Sequence, residues 1–199
     1  MKVLGCTGGI GSGKSYVANI FNKMGIPVYD SDNRAKGLYD TDAILREAMV
    51  ELLGNDIIEN GILQRNIIAQ KIFTNKSLLL EVEKIVHPAV LRDFCMWKSS
   101  FDKESVPFVI MESAILLEKP LVRSCADKVL TVTAPLELRI ERVMARDNMK
   151  RERVLERMAA QWSDEKRSSM ADFIIFADGK RALLPQIMDV YDAMSALQE

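Results

Sequence analysis

Gly8-Gly9-Ile10-Gly11-Ser12-Gly13-Lys14-Ser15 satisfies G-x-x-x-x-G-K-[ST], the spacing of a phosphate-binding loop. A loop that wraps a polyphosphate must bring its backbone amides close to the ligand. Glycines allow the positive φ angles and the close approach this needs. Lys14 supplies a point charge for the β- and γ-phosphates, and the Ser15 hydroxyl supplies a ligand for Mg²⁺. A second chemical group is the acidic pair Asp30 and Asp32, at the end of a short apolar stretch. Carboxylates there suit the orientation of an acceptor hydroxyl and the removal of its proton. A third is the set Arg139, Arg142, Arg146, Arg151, Arg153 and Arg157, on two helical stretches that could close over a nucleotide. Glu137, Glu141, Glu152 and Glu156 lie among them, so about half of these arginines are expected to be ordinary partners on a solvated face.

These groups need elements that position them. Lys2–Thr7 reads as a strand, the loop follows, and a helix runs from Lys14 to Met24, with Gly25 placed to end it. The phosphates would then sit at a helix N-terminus. Val28-Tyr29 reads as a second strand, ending on Asp30-Ser31-Asp32. Ligands of open α/β sheets gather at the carboxyl ends of the strands, so loop and acidic pair are expected to face one crevice. From Asn33 to about Trp97 the chain reads as helical without a convincing strand. One helix is expected over Arg34–Leu53, a second over Gln64–Phe73 after a polar turn at Glu59-Asn60-Gly61, and a third from Lys76, interrupted at His87-Pro88. So long a helical block between two strands exceeds an ordinary crossover and predicts a substrate-side insertion. Strands follow at Phe108–Met111, ending on Glu112, at Lys128–Thr133 and at Phe173–Phe176. Helices are expected at Leu136–Arg146, Lys150–Trp162 and Ala182–Leu197, the last carrying Leu183, Ile187, Val190, Tyr191 and Met194 on one face. Alternating strands and helices predict a parallel sheet covered on both sides.

Composition narrows the class. Lys and Arg number 27 against 28 Asp and Glu, which argues against a dedicated nucleic-acid surface or a polybasic membrane anchor. Cys6, Cys95 and Cys125 are widely spaced and form no C-x-x-C, so they read as reduced thiols of a cytoplasmic protein. No basic-then-apolar leader precedes the first strand and no apolar run is long enough to span a bilayer. The single histidine excludes a multi-histidine metal site. A guanine-nucleotide switch would need D-x-x-G and N-K-x-D. No Asp here is followed three residues on by Gly, and Asn75-Lys76 has Leu78 where Asp belongs. A motor ATPase would be larger, with an extended apolar strand ending in acidic residues, for which Met111-Glu112 is a weak stand-in. Small kinases fit best, because phosphoryl transfer to a hydroxyl needs an oriented acceptor, cations over the transferring oxygens and exclusion of water. A nucleoside or other small-metabolite kinase, and a nucleotide-binding regulatory protein without turnover, remain as alternatives.

With their neighbours, these residues resemble a family. The run Thr7-Gly8-Gly9-Ile10-Gly11-Ser12-Gly13-Lys14-Ser15 is similar to the opening of the dephospho-coenzyme A kinases. Asp30-Ser31-Asp32 resembles their D-A-D element, and His87-Pro88 with Arg92 resembles their H-P-x-x-x-R. Glu112 to Glu118 resembles their D-x-P-L-L-F-E segment. Arg142 and Arg146-Asp147 resemble the R-x-x-x-R-D of their lid, with Arg157-Met158-Ala159-Ala160-Gln161 after it, and Ala171-Asp172 opens the last strand as in that family. The resemblance covers nearly the whole chain.

The resemblance implies an α/β protein with a three-layer P-loop kinase fold, a parallel β-sheet core flanked by helices, a helical substrate-side insertion and a helical lid. It implies one domain over 1–199, with its core at about 1–32, 105–140 and 170–199, the acceptor-binding insertion at about 33–100 and the lid at about 141–165. The implied reaction passes the γ-phosphate of ATP, with Mg²⁺, to the ribose 3′-hydroxyl of dephospho-CoA. Nucleic acid, membrane and an obligate protein partner are not expected. By position, Gly11, Ser12, Gly13, Lys14, Ser15 and Tyr16 would hold the ATP phosphates, joined by Arg146, with Ser15 at the metal. Asp32, Lys14 and Arg142 would act in the chemistry. Thr7, Asp32, His87, Arg92 and Glu118 would meet the acceptor, His87 through structure or substrate positioning ahead of proton transfer. Against the family pattern, Tyr16 replaces Thr, Lys36 replaces Arg, Glu112 replaces Asp, Ala114 replaces Pro and Ala177 replaces Asn. The change at Ala177 puts an adenine contact from that loop in question.

Overall fold

A computed structural model describes residues 1–73, 75–102 and 105–198. The chain divides into two compact units, Met1–Asp30 with Phe101–Glu199, and Ser31–Ser100. It begins with β1 (Lys2–Thr7), α1 (Lys14–Lys23) and β2 (Val28–Asp30). The second unit follows as α2 (Ser31–Thr41), α3 (Ala43–Leu53), the short strands β3 (Ile58–Glu59) and β4 (Ile62–Leu63), α4 (Arg65–Phe73) and α5 (Lys76–Ser99). The chain then runs through β5 (Phe108–Glu112), α6 (Pro120–Arg123), β6 (Lys128–Thr133), α7 (Leu136–Asp147), α8 (Arg151–Ala159), α9 (Asp164–Ser169), β7 (Phe173–Phe176) and α10 (Leu183–Ser195).

In the first unit the sheet is parallel throughout, in the order β2-β5-β1-β6-β7. Its central strands are buried on both faces, which explains their near-continuous apolar runs. Leu4, Cys6, Phe108, Ile110, Leu130 and Val132 pack on one face with Val17 and Phe21 of α1 and Ile187, Val190 and Met194 of α10. Val129 points to the other face, where Leu116, Leu117, Trp162 and Ala171 cover it. This is the three-layer arrangement that alternating strands and helices demand. The strand order reverses around β1, so the phosphate loop leaves the sheet at its topological switch point.

In the second unit α2, α3 and α4 pack against α5. Leu45, Met49, Leu53, Ile57, Ile68 and Phe94 are among its buried residues. Three expectations change here. The helix expected over Arg34–Leu53 is two helices, because the Asp42 side chain accepts the Leu45 amide at 3.0 Å and caps a new start. The polar turn is a true hairpin, because Asn60 and Gly61 take φ 51° and 79°, the pair a two-residue turn of matching twist requires. The third helix is not interrupted at His87-Pro88; α5 continues through Pro88. Proline removes one hydrogen bond and crowds the carbonyl four residues back, here that of Lys84. Packing of neighbouring helices along α5 outweighs that cost. In the first unit α8 ends at Ala159, short of Trp162, and Ser163 caps the separate helix α9.

No helix among the described residues is long and apolar enough to cross a membrane. Replacement of Pro88 restores the lost backbone bond inside α5. Pro88→Ala should therefore stabilise the protein against urea by about 1–3 kcal/mol. An unchanged or lower denaturation midpoint would show that α5 needs proline at this position.

Candidate active site

The glycines of the loop serve different neighbours. A Cβ on Gly8 would lie 2.5 Å from the Val132 carbonyl oxygen of β6. A Cβ on Gly9 would overlap the Arg139 guanidinium, and one on Gly11 would overlap the Arg139 backbone carbonyl. Gly8, Gly9 and Gly11 thus let β6 and α7 come against the loop. A Cβ on Gly13 would meet Ala177 and Arg142 only at ordinary contact distance, 3.5 and 3.7 Å, but Gly13 takes φ 97°, the left-handed conformation from which α1 starts.

That start has no side-chain cap and no acidic residue in the first turn. The first backbone N–H groups of a helix have no acceptor within it, and the aligned dipoles favour negative charge there. An oxyanion is the natural partner of this end of α1. Gly9, Gly11, Ser12, Gly13, Lys14, Ser15 and Tyr16 line a pocket of ≈ 160 Å³ with Arg142, Val143 and Arg146.

Glu112 closes the site from the end of β5. One of its oxygens accepts both Lys14 Nζ at 2.7 Å and Ser15 Oγ at 2.6 Å. The Glu112 side chain is 5% exposed and that of Lys14 17%. A buried carboxylate needs such partners, and together they fix Lys14 and Ser15 at the mouth of the loop. Sequence reading did not include Glu112 among the site residues. Its signals were an acid directly after the apolar run Phe108–Met111, a weak motor-ATPase stand-in, and its place at the Asp position of the D-x-P-L-L-F-E segment.

Glu112 also bears on Cys6, its register partner on β1. Burial, with the Glu112 carboxylate adding to it, pushes the Cys6 thiol up to about 12. Cys6 therefore stays protonated and is packing, not a nucleophile.

The arginines sort themselves. Arg142 donates to the Ala177 carbonyl at 2.8 Å and reaches the Gly11 and Ser12 carbonyls at 3.4 Å. Position 177 thus serves Arg142 through its backbone, which replacement of Asn by Ala leaves in place. Arg139 is buried, donates Nε to the Ile10 carbonyl at 3.0 Å and pairs with Asp164. Arg146 lines the pocket while pairing with Asp147, whose carboxyl is held down to about 2 by that hydrogen bond. Arg151, Arg153 and Arg157 pair with Glu137, Glu156 and Asp147 on exposed faces. Such pairs contribute little.

Two of the expected substrate contacts, Thr7 and Glu118, lie in the first unit. Thr7 is completely buried at the end of β1, and its hydroxyl has no hydrogen-bond partner among the described residues. Glu118 accepts Arg167 Nη2 at 3.0 Å and the Trp162 amide at 3.2 Å, and Arg167 is a fully buried cation that needs it.

The second unit holds Asp32, His87 and Arg92. Asp32 is exposed in the first turn of α2, where a carboxylate complements the helix dipole; the strand expected to end on Asp30-Ser31-Asp32 ends at Asp30, and helix begins at Ser31. Asp30, two residues before it, closes β2 level with Glu112. His87 is half-buried in the middle of α5. Arg92 pairs at 3.1 Å with Asp42, the cap of α3.

The chain as a whole is similar to known proteins. Residues 2–182 match the family model described as dephospho-CoA kinase. A dephospho-CoA kinase of Porphyromonas gingivalis is 40% identical over 195 residues, covering 98% of this chain and 95% of its own. One from Bacteroides fragilis is 39% identical over 187 residues, covering 94% and 90%. Among solved structures, TT1252 from Thermus thermophilus superposes with a TM-score of 0.82 at 31% identity, over 100% of this chain and 98% of its own.

The thiols offer a direct check on the site's packing. Cys95 is exposed, Cys125 intermediate and Cys6 buried. A thiol reagent at neutral pH should label Cys95 first and leave Cys6 untouched until the protein unfolds. Labelling of Cys6 in the native protein, read by peptide mass, would contradict this burial.

Proposed function

The chain belongs to the dephospho-CoA kinase family, and from that premise we propose which residues carry its reaction, the ATP-dependent phosphorylation of dephospho-CoA. The observation that carries the assignment is the grip of Glu112 on both Lys14 and Ser15 beside an uncapped helix N-terminus. Backbone N–H groups of Gly11 to Tyr16 cradle the ATP phosphates. Lys14 bears on the β- and γ-phosphates. Arg142 and Arg146 approach from α7, and the α7–α8 arm serves as the lid.

The residues present also fit Mg²⁺. The Ser15 hydroxyl lies 2.6 Å from a Glu112 carboxylate oxygen, two hard oxygens of the kind this ion prefers, and phosphate oxygens and water would supply its remaining ligands. No cluster of three or more His, Cys, Asp or Glu suited to a metal occurs among the described residues, which suits an ion held largely by its nucleotide. Bound there, the ion would neutralise charge on the β- and γ-phosphates.

The transferring phosphoryl group spreads its charge over equatorial oxygens, so catalysis is positioning and electrostatic stabilisation. Lys14 and Arg142 supply fixed positive charge, worth most in a site screened from water. On the acceptor side Asp32 orients the ribose 3′-hydroxyl and accepts its proton, while His87 and Arg92 hold the substrate. The chain path supports this role, since Asp32 follows β2 at the carboxyl edge of the sheet.

A coupled ADP-release assay with dephospho-CoA, adenosine, other nucleosides and shikimate tests the reaction. ADP release is expected to rise only with dephospho-CoA; no increase over the acceptor-free rate would overturn the proposal. In the same assay Lys14→Ala should cut turnover by about 10²–10³-fold through lost charge stabilisation. Asp32→Asn should lower kcat while KM for ATP holds, and a collapse in ATP affinity would move Asp32 to the metal site. Glu112→Gln keeps the shape and removes the charge. It should raise the Mg²⁺ concentration for half-maximal rate by about tenfold; an unchanged Mg²⁺ dependence would remove Glu112 from the ion.

A further inference from the structure

We propose that Gln161, acting with Arg139, is a positioning residue for the phosphate loop, holding the Ile10 peptide unit at both polar ends. The inference rests on the assignment of that loop to the ATP phosphates. The Ile10 N–H donates to Gln161 Oε1 at 2.9 Å, and the Ile10 carbonyl accepts Arg139 Nε at 3.0 Å. The Ile10 side chain packs against Ile140 and Val143 of α7 and Val154 of α8. Backbone donor, backbone acceptor and side chain of one loop residue are therefore all held by the same arm. The two clamping groups lie at its opposite ends, Arg139 in α7 and Gln161 just beyond α8.

The clamp is itself braced. Arg139 pairs with Asp164, Asp164 also accepts Thr133 Oγ1 and Arg167, and Arg167 continues to Glu118. The flanking Gly9 and Gly11 leave no room for a side chain between loop and Arg139. A glycine-rich loop is entropically free by composition, yet it binds phosphates only with its amides already aimed. Fixing Ile10 before ATP arrives removes part of the ordering cost that binding would otherwise carry. In the other direction, phosphate contact with the loop is felt by the arm that bears Arg142.

Gln161 is the member to test, because it is neutral. Removing Arg139 would take a buried cation out of the network around Asp164 and confuse stability with function. Gln161→Met keeps length and volume without the acceptor; Gln161→Glu keeps the acceptor. With ATP and dephospho-CoA varied separately, Gln161→Met should raise KM for ATP by about tenfold, because the Ile10 amide loses its acceptor. KM for dephospho-CoA should stay within about twofold, and Gln161→Glu should return KM for ATP to within about threefold of wild type. A packing role alone would give the reverse order, with Met tolerated. An unchanged KM for ATP in Gln161→Met, or equal impairment in Gln161→Glu, overturns the proposal. Hydrogen exchange on the wild-type protein needs no variant: the Ile10 amide should be protected, and rapid exchange there also overturns the clamp. Lys14→Ala in parallel separates the two levels. If it leaves transfer intact, the phosphate-loop assignment fails; if it abolishes transfer while Gln161→Met is silent, the clamp alone falls.

Discussion

There is no room for a side chain at Gly8, Gly9 or Gly11. β6 presents the Val132 carbonyl to the first, and α7 presents Arg139 to the other two. This close approach lets Arg139 reach the Ile10 carbonyl, sets Arg142 over the Gly11 and Ser12 carbonyls, and brings Ile140 and Val143 onto Ile10. A single Cβ at Gly9 would push the Arg139 guanidinium away, and with it Asp164 and the charges behind it. The glycine content of the loop answers two demands at once: amides open to the phosphates on one side, helix and strand pressed against the other.

The electrostatics follow from that packing. Positive charge is concentrated at the uncapped end of α1, on Lys14 and on Arg142, and within the first unit it is balanced by Glu112, largely sequestered under Lys14. An ion pair this poorly exposed is costly to desolvate and is a weak source of stability. Its value lies in geometry. The same carboxylate oxygen that orients Lys14 also orients the Ser15 hydroxyl, so the donors meant for nucleotide and metal are placed before either arrives. Glu112 extends one methylene further than the Asp of the family pattern, and here that length reaches both partners.

Sequence pattern carried the local features well. Strand β1, the loop and helix α1 are short-range structures whose signals are contiguous, and β6 and β7 have the bounds their apolar runs suggested. Where the reading changed, a competing local interaction or a distant partner decided. Asp42 split a helix by accepting one amide, Asn60-Gly61 folded a hairpin, and α5 passed through Pro88 because three helices pack along it. Among the arginines, type and helical spacing were nearly equivalent. The family resemblance singled out Arg142 and Arg146; the fold adds Arg139, which also reaches the loop, and sets aside Arg151, Arg153 and Arg157, which meet surface carboxylates.

What the sequence by itself determined was the phosphate chemistry and the family, because G-x-x-x-x-G-K-S and its neighbours are constraints on adjacent residues, where backbone geometry leaves few alternatives. What only the tertiary structure decided was the company those residues keep. Glu112 lies 98 residues from Lys14 and Gln161 lies 151 residues from Ile10. No local periodicity encodes such pairs; they exist because parallel strands and the α7–α8 arm return distant segments to the end of β1, and because a buried charge or a buried amide must find a partner there.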